Sequence, residues 1–409
     1  MYKKYCHSLY SMLLLFSSVL FAQTPDLLLQ QMQAKCFQIK SGYYEMLHYQ
    51  KFIGETDTML SRVRYYFQKV AQDTITGYYF HHQKEVQDKH GKSHSFQQLY
   101  NGKALAYTED SAVVLMTVEK WATEIKNFIR ANDFLNLLLR PEKSAIVRNQ
   151  QKWKAPAVLV GETQVGNTAC WHVKIRIDET PNPEETISVL SSNFDFWIAQ
   201  SDTTPIQYDI TYKLLMGPDT VWQYDRYLLT HYHWAQMNAA DSTFDLKRLP
   251  NHLKIRDYVP YQAPELLKEG EPAPQWELTS LNGEIINIGK LRGKLLLLDF
   301  FYKSCYPCLQ ALPVLQQLHE KYQSKDLMII GVNPFDKKSD GIGEFLSRRN
   351  ITYTVVLDDD GKVANTYRVS AYPTMYLINQ QGKIVWVEVG FGSDSANMLE
   401  QTILKYLNE

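Results

Sequence analysis

Internal repeats, low-complexity tracts and an excess of either charge are all missing from this 409-residue chain, and cysteine is scarce at five. The 43 Lys and Arg stand against 44 Asp and Glu, a formal charge of -1, which supplies no broad attraction to nucleic acid or to an anionic membrane surface. After residue 22 no apolar run reaches the roughly 18–20 residues that cross a bilayer as a helix. The single Cys-x-x-Cys, at Cys305 and Cys308, has no second pair and no nearby His to complete a tetrahedral zinc set, and Leu309 stands where haem attachment needs His. No cofactor is expected.

What is present begins at the N-terminus. Lys3 and Lys4 precede an apolar run from Met12 to Phe21, and small Ala22 stands before polar Gln23. The order of basic, short apolar and small residues is that of a secretory signal peptide over residues 1–22, cleaved near Ala22. No Cys follows to carry a lipid. Export is therefore expected, which in a Gram-negative bacterium means the periplasm, and Cys6 leaves with the signal. Cys36 and Cys170 are open either to a bridge, which export permits, or to free burial. Hydrophobic residues at 45% and charged residues at 21% supply material for real cores, and the length suggests two domains.

From about Thr24 to Asp257, short runs rich in Tyr, Trp, Thr and Val alternate in polarity, as over 168–177 and 205–214, and predict an antiparallel sheet. Over 25–40 and 118–139 apolar residues recur three and four apart, predicting amphipathic helices. A curved, half-barrel-like sheet with helices on one face fits this pattern, as do a closed barrel and a sandwich. Pro260, Pro264, Pro272 and Pro274, with Lys268-Glu269-Gly270-Glu271, interrupt regular structure. We place a β-rich domain at 23–263, a linker at 264–274 and a second domain at 275–409. In the second, strands over 295–301, 327–332, 353–357, 374–378 and 384–389 alternate with helices over 307–322, 342–349, 362–367 and 395–407, an α/β pattern with a mixed sheet.

The chemistry centres on Cys305-Tyr306-Pro307-Cys308. With zinc and haem set aside, redox exchange and a structural staple remain. A four-residue loop constrains little unfolded-state entropy, so a staple would stabilise weakly. The pair follows an apolar strand and opens a helix, so Cys305 sits at a helix N-terminus, where unpaired N–H groups and the macrodipole favour a thiolate. Cys305 is expected to attack and Cys308, one turn inward, to resolve the mixed disulfide.

A series of matches then runs in order: Gly270-x-x-Ala273-Pro274, the apolar run 296–300, Pro313 in the following helix, and Val332-Asn333. Asp358-x-x-Gly361-x-x-Ala364-x-x-Tyr367, Tyr372-Pro373-Thr374 and Asn379-Gln380-Gln381-Gly382-Lys383-Ile384-Val385 complete it. By these features the segment from about Gly270 to Glu409 resembles the thioredoxin-like disulfide reductases of the TlpA and ResA type. The resemblance implies a thioredoxin fold, a kink at Pro313, and a cis Pro373 that faces the cysteines and exposes backbone to a client peptide. It further implies that Asp299, six residues before Cys305, is a buried acid that moves the proton of the resolving cysteine, since burial raises a carboxyl toward the thiol range. An Asp near the strand end that reaches solvent or bonds a neighbouring backbone is the alternative.

The pattern also departs from that family. Tyr306 stands where a small residue is usual, Tyr302-Lys303-Ser304 replaces a Trp-containing lead-in, and Leu309 and Ala311 replace Arg and Glu. Lys303 either lowers the Cys305 pKa or is solvated. In the first domain His81-His82 and His231-x-His233 lack Asp, Glu or Cys at ligand spacing, so packed or solvated histidines are the simpler expectation than a metal site. Residues 193–198 through Thr204-Pro205-Ile206 are similar to lipoprotein carriers of the LolA and LppX type, which implies an eleven-strand half-barrel whose concave face takes an apolar ligand. Three functions stand: an exported disulfide reductase acting on protein disulfide or thiol clients, a lipid or lipoprotein carrier with an accessory redox domain, and metal delivery through Cys305 and Cys308. The cysteine pair with Asp299 and Pro373 favours the first. An exported reductase must itself be reduced, and the resemblance implies a membrane electron donor of the DsbD or CcdA kind.

Overall fold

The computed structural model describes residues 23–53, 57–87, 92–129, 137–181, 187–216, 219–235 and 242–407. The predicted signal peptide lies outside the described residues. Leu27 N–H donates to the Thr24 hydroxyl (3.2 Å), and Pro25 occupies the first turn, where a missing N–H costs nothing; together they start α1 (Pro25–Gln38). Its buried Leu28, Leu29, Met32 and Cys36 pack on a sheet.

That sheet is built from β1 (Ser41–Lys51), β2 (Met59–Lys69), β3 (Tyr78–Gln87), β4 (Ser93–Tyr100), β5 (Ala104–Glu109), β6 (Ala112–Thr117), β7 (Ala157–Val165), β8 (Thr168–Asp178), β9 (Ile187–Ala199), β10 (Pro205–Met216), β11 (Asp219–His233) and β12 (Lys254–Asp257). The spatial order is β12-β6-β5-β4-β3-β2-β1-β11-β10-β9-β8-β7. β12 and β7 are free edges, so the sheet is open, neither a closed barrel nor a sandwich. It has twelve strands rather than eleven: β12 joins β6 in parallel and is exposed throughout, leaving no apolar alternation by which to foresee it.

Alternation along the strands sorts the two faces. Tyr44, Met46, Tyr65, Phe67, Phe80, Phe194, Phe196 and Tyr208 point to one side and form a single core with α1 and with Ile125 of α2 (Val118–Phe128). The α2 helix is shorter than the 118–139 span expected: it ends at Phe128, with Ile129 as its C-cap, and residues 130–136 lie outside the described residues. The face carrying these side chains is packed by α1 and α2. On the other face Asp195 and Asp209 stand directly opposite each other; His172 lies 2.7 Å from Asp195, and the Arg226 guanidinium grips Asp209 at 2.8 and 3.0 Å. Cys36 and Cys170 are buried and unbonded, so the bridge left open by the sequence is not formed. Burial pushes their thiols up, to about 12 and about 11 respectively, which keeps both protonated.

After β12 the chain crosses to a second sheet. Residues 259–265 are exposed, whereas Leu267 is buried and the Gly270 and Ala273 N–H groups donate to the carbonyls of Ile384 and Gly382 (2.8 and 2.9 Å). A small hairpin, β13 (Glu277–Thr279) and β14 (Ile285–Asn287), precedes β15 (Leu295–Phe300), β16 (Leu327–Asn333), β17 (Thr354–Leu357), β18 (Thr374–Ile378) and β19 (Ile384–Val389). The order is β17-β16-β15-β18-β19; the first three run parallel and the last two antiparallel, a thioredoxin-like sheet. Leu295 and Leu297 pack beneath α3 (Tyr306–Tyr322), α4 (Ile342–Ser347) and α6 (Ser395–Leu407), while Leu296 and Leu298 face α5 (Lys362–Thr366). This places β15, buried at all six positions, at the centre and aims its C-terminal end at the start of α3.

Candidate redox site

The site grows out of β15. Its sequence Leu-Leu-Leu-Leu-Asp-Phe carries one polar side chain, Asp299, on the same face as Leu295 and Leu297, where α3 packs. Across the sheet Asp299 pairs in register with Gly331 and Met375, and neither offers a hydrogen bond. Both carboxylate oxygens are buried without a partner. Burial alone pushes the Asp299 carboxyl up to about 7. The alternative of a solvent-reaching Asp is thereby corrected: β15 is central, so its end is covered on both faces.

After Phe301 the lead-in to α3 is held from an adjacent loop. Asp336 accepts from the Lys303 N–H (2.8 Å) and from the Asn333 side-chain amide (2.9 Å), while Asn333 Oδ1 accepts from the Phe335 and Asp336 N–H groups. Lys303 is buried and its Nζ donates to the Asp340 carbonyl (2.8 Å), so its ammonium is engaged with that loop rather than solvated. Asp336 was not picked out from the sequence. Its signal is the Asn333-Pro334-Phe335-Asp336 run, in which Asn at the first position of a turn bonds the backbone two and three residues on.

Cys305 caps α3: the Cys308 N–H lies 3.2 Å from Cys305 Sγ, and Pro307 falls in the first turn. The two cysteines form a disulfide, with Cα atoms 5.2 Å apart. An N-terminal sulfur surrounded by unpaired N–H groups is stabilised as an anion once the bond is reduced. Cys305 is only 2% exposed and Cys308 is fully buried. Pro313 lies inside α3, which continues to Tyr322. The Tyr372–Pro373 peptide is cis, and no main-chain hydrogen bond ends on Tyr372 among the described residues. Tyr302, Phe335 and Tyr372 meet edge to face, with centroids 5.1–5.5 Å apart. At the mouth of the site the Tyr306 hydroxyl donates to the Ile187 carbonyl of the first sheet, 3.5 Å away.

The histidines stand apart from this site. His81 and His82 bond to Gln97 and Gln98, and burial lowers both, His82 to about 4. His231 lies 3.6 Å from Glu45. Among the described residues no group of three or more His, Cys, Asp or Glu is arranged to hold a metal ion.

Residues 270–387 match the AhpC/TSA family. The thiol-disulfide oxidoreductase ResA of Bacillus subtilis (strain 168) is 33% identical over 144 residues, covering 35% of this chain and 76% of that protein. The thioredoxin-like protein YneN of the same strain is 32% identical over 136 residues, 32% of this chain and 79% of the relative. A solved thiol:disulfide interchange protein from Bacteroides sp. is 26% identical with a TM-score of 0.31, and the match covers 35% of this chain and 92% of that one.

Proposed function

Because this chain belongs, through its C-terminal third, to the ResA-type thiol-disulfide oxidoreductases of the AhpC/TSA family, we propose that it is an exported disulfide reductase with Cys305 as nucleophile and Cys308 as resolving thiol. In the forward sequence the Cys305 thiolate attacks one sulfur of a client disulfide. The Cys305–client bond forms, the client bond breaks, and the freed client sulfur leaves as a thiolate that takes a proton from water. Cys308 then yields its proton to Asp299 and attacks Cys305 Sγ; the intramolecular disulfide forms and the second client thiolate departs. The client has gained two electrons and the pair has lost two, and a membrane-bound dithiol donor returns them by the reverse steps.

The observation that carries this reading is the cysteine pair at the start of α3 with an unpartnered, fully buried Asp299 on the sheet beneath. A carboxyl raised to about 7 is close to half-ionised at neutral pH, where it can both take and give a proton. Export rests on the residues 1–22 pattern and is checked by fractionating cells that express the full chain. The mechanism is tested with Cys308→Ser, which should accumulate mixed disulfides with clients in periplasmic extracts, seen as reductant-sensitive adducts absent from Cys305→Ser. Failure to trap any adduct overturns the exchange reading. A reduction potential near that of thioredoxin, about -270 mV, fits a reductase, and one near -120 mV reverses the direction.

A further inference from the structure

A thiolate that attacks a protein disulfide must bring three sulfurs into line, and reactive cysteines accordingly sit in partly exposed sites. Cys305 is 2% exposed. Four aliphatic residues at strand ends of the first sheet, distant in sequence, are buried in the same apolar cluster as Cys305: Ile53 just after β1, Ile187 opening β9, and Leu214 and Met216 closing β10. They do not join the core of their own sheet. They belong to the apolar cluster that holds Cys305, Cys308, Leu309 and Leu312, and Val189, Tyr212 and Val221 pack against the same cluster. Where the two parts meet, Tyr306, the first of the two residues between the cysteines, donates its hydroxyl to the Ile187 main-chain carbonyl.

We infer that these strand ends are a built-in cap on the redox site, occupying the surface that clients use, and that the clients are disulfide-bearing segments with an aliphatic residue next to the reactive cysteine. The inference rests on the reductase reading above. The cap displays what the surface accepts: uncharged branched or unbranched aliphatic side chains together with a main-chain carbonyl facing a phenol. A client segment of the same character replaces each contact as the strand ends withdraw, whereas one flanked by charges must bury them against Leu309 and Leu312 without a partner. The long 3.5 Å bond from Tyr306 is a weak latch, in keeping with a contact made to be broken.

The test uses the reduced full-length chain and follows iodoacetamide alkylation of Cys305 by peptide mass mapping. Ile187→Glu and Met216→Glu each place a carboxylate in the apolar contact, and each is expected to speed alkylation at least about tenfold. If either fails to fold by circular dichroism, Tyr306→Phe removes only the latch hydroxyl and is expected to raise the rate about two- to threefold. In parallel, the wild-type chain should reduce a disulfide peptide with Ile beside its cysteine about tenfold faster than the same peptide with Glu there. Unchanged alkylation in the folded variants, or equal rates on the two peptides, overturns the cap. A reduced chain that does not exchange even with a small aromatic disulfide instead overturns the reductase reading on which the cap depends.

Discussion

Asn in place of Asp299 should stabilise the oxidised protein, and by an amount that depends on pH. The carboxyl is fully buried, has no hydrogen-bond partner, and faces Gly331 and Met375 across the sheet, so burial raises it from an ordinary 3.8 to about 7. In the unfolded chain it ionises above about 4; in the folded chain it holds its proton until about 7. Between those values the folded state binds more protons than the unfolded state, so stability falls as pH rises, by about 1.4 kcal/mol per unit. Three units give about 4 kcal/mol lost by pH 8 relative to pH 4, an order-of-magnitude figure. Asp299→Asn keeps the shape and removes the titration. Its stability should match the wild type near pH 4 and exceed it by several kcal/mol above pH 7. Urea unfolding of both oxidised chains, followed by circular dichroism from pH 4 to 8.5, reads the difference directly. A difference that stays flat across that range refutes the assignment of a buried, unpartnered carboxyl. The same variant should slow release of client from the mixed disulfide by about 10²-fold or more, the usual share of a general base.

Three further outcomes follow from local packing. Gly331→Ala puts a Cβ 2.8 Å from Phe301 Cε1 and 3.1 Å from Val355 Cγ2, so it should cost about 1–3 kcal/mol, read as a lowered thermal midpoint. Arg226→Ala leaves the buried Asp209 carboxylate facing Asp195, with Gln207 as a remaining donor, and should cost about 1–3 kcal/mol in urea unfolding; no loss would show that solvent replaces the guanidinium, which is itself partly exposed. Cys36 and Cys170, held protonated by burial, should ignore Ellman's reagent at pH 8 in the native reduced chain and react only in urea, and labelling of either in the folded state contradicts their burial.

Much of the second domain could be read from sequence because its central strands β15, β16 and β18 are buried on both faces and its helices are amphipathic, so period and length coincide. The run 295–301 differs from β15 by one residue, and the helices over 307–322 and 395–407 fall within a residue of α3 and α6. The first domain was legible as alternation but not as topology. Strand order depends on contacts far apart in sequence, such as β1 with β11, and alternation is the same in a sandwich, a barrel or an open sheet. β12 was invisible because its residues are exposed on both faces. At the site, the cysteines and Asp299 announced themselves by spacing and by a charge within an apolar run. Asp336 and the Ile187 carbonyl did not: one acts through a turn and the other through its main chain, for which side-chain identity carries little signal.

The connection between the two parts has a kinetic meaning. β12 and the Tyr258 N–H, which donates to the Leu115 carbonyl, fix the chain to the first sheet, while the Glu265 carbonyl accepts from Arg368 and Leu267 is buried on the second. Only residues 259–264 run unanchored, a reach of about 20 Å when extended. A tether that short keeps a detached strand end at an effective concentration in the millimolar range. A client present at micromolar levels therefore competes against a resident roughly a thousandfold more concentrated. Lengthening the tether, with no change to either surface, should shift that competition toward the client.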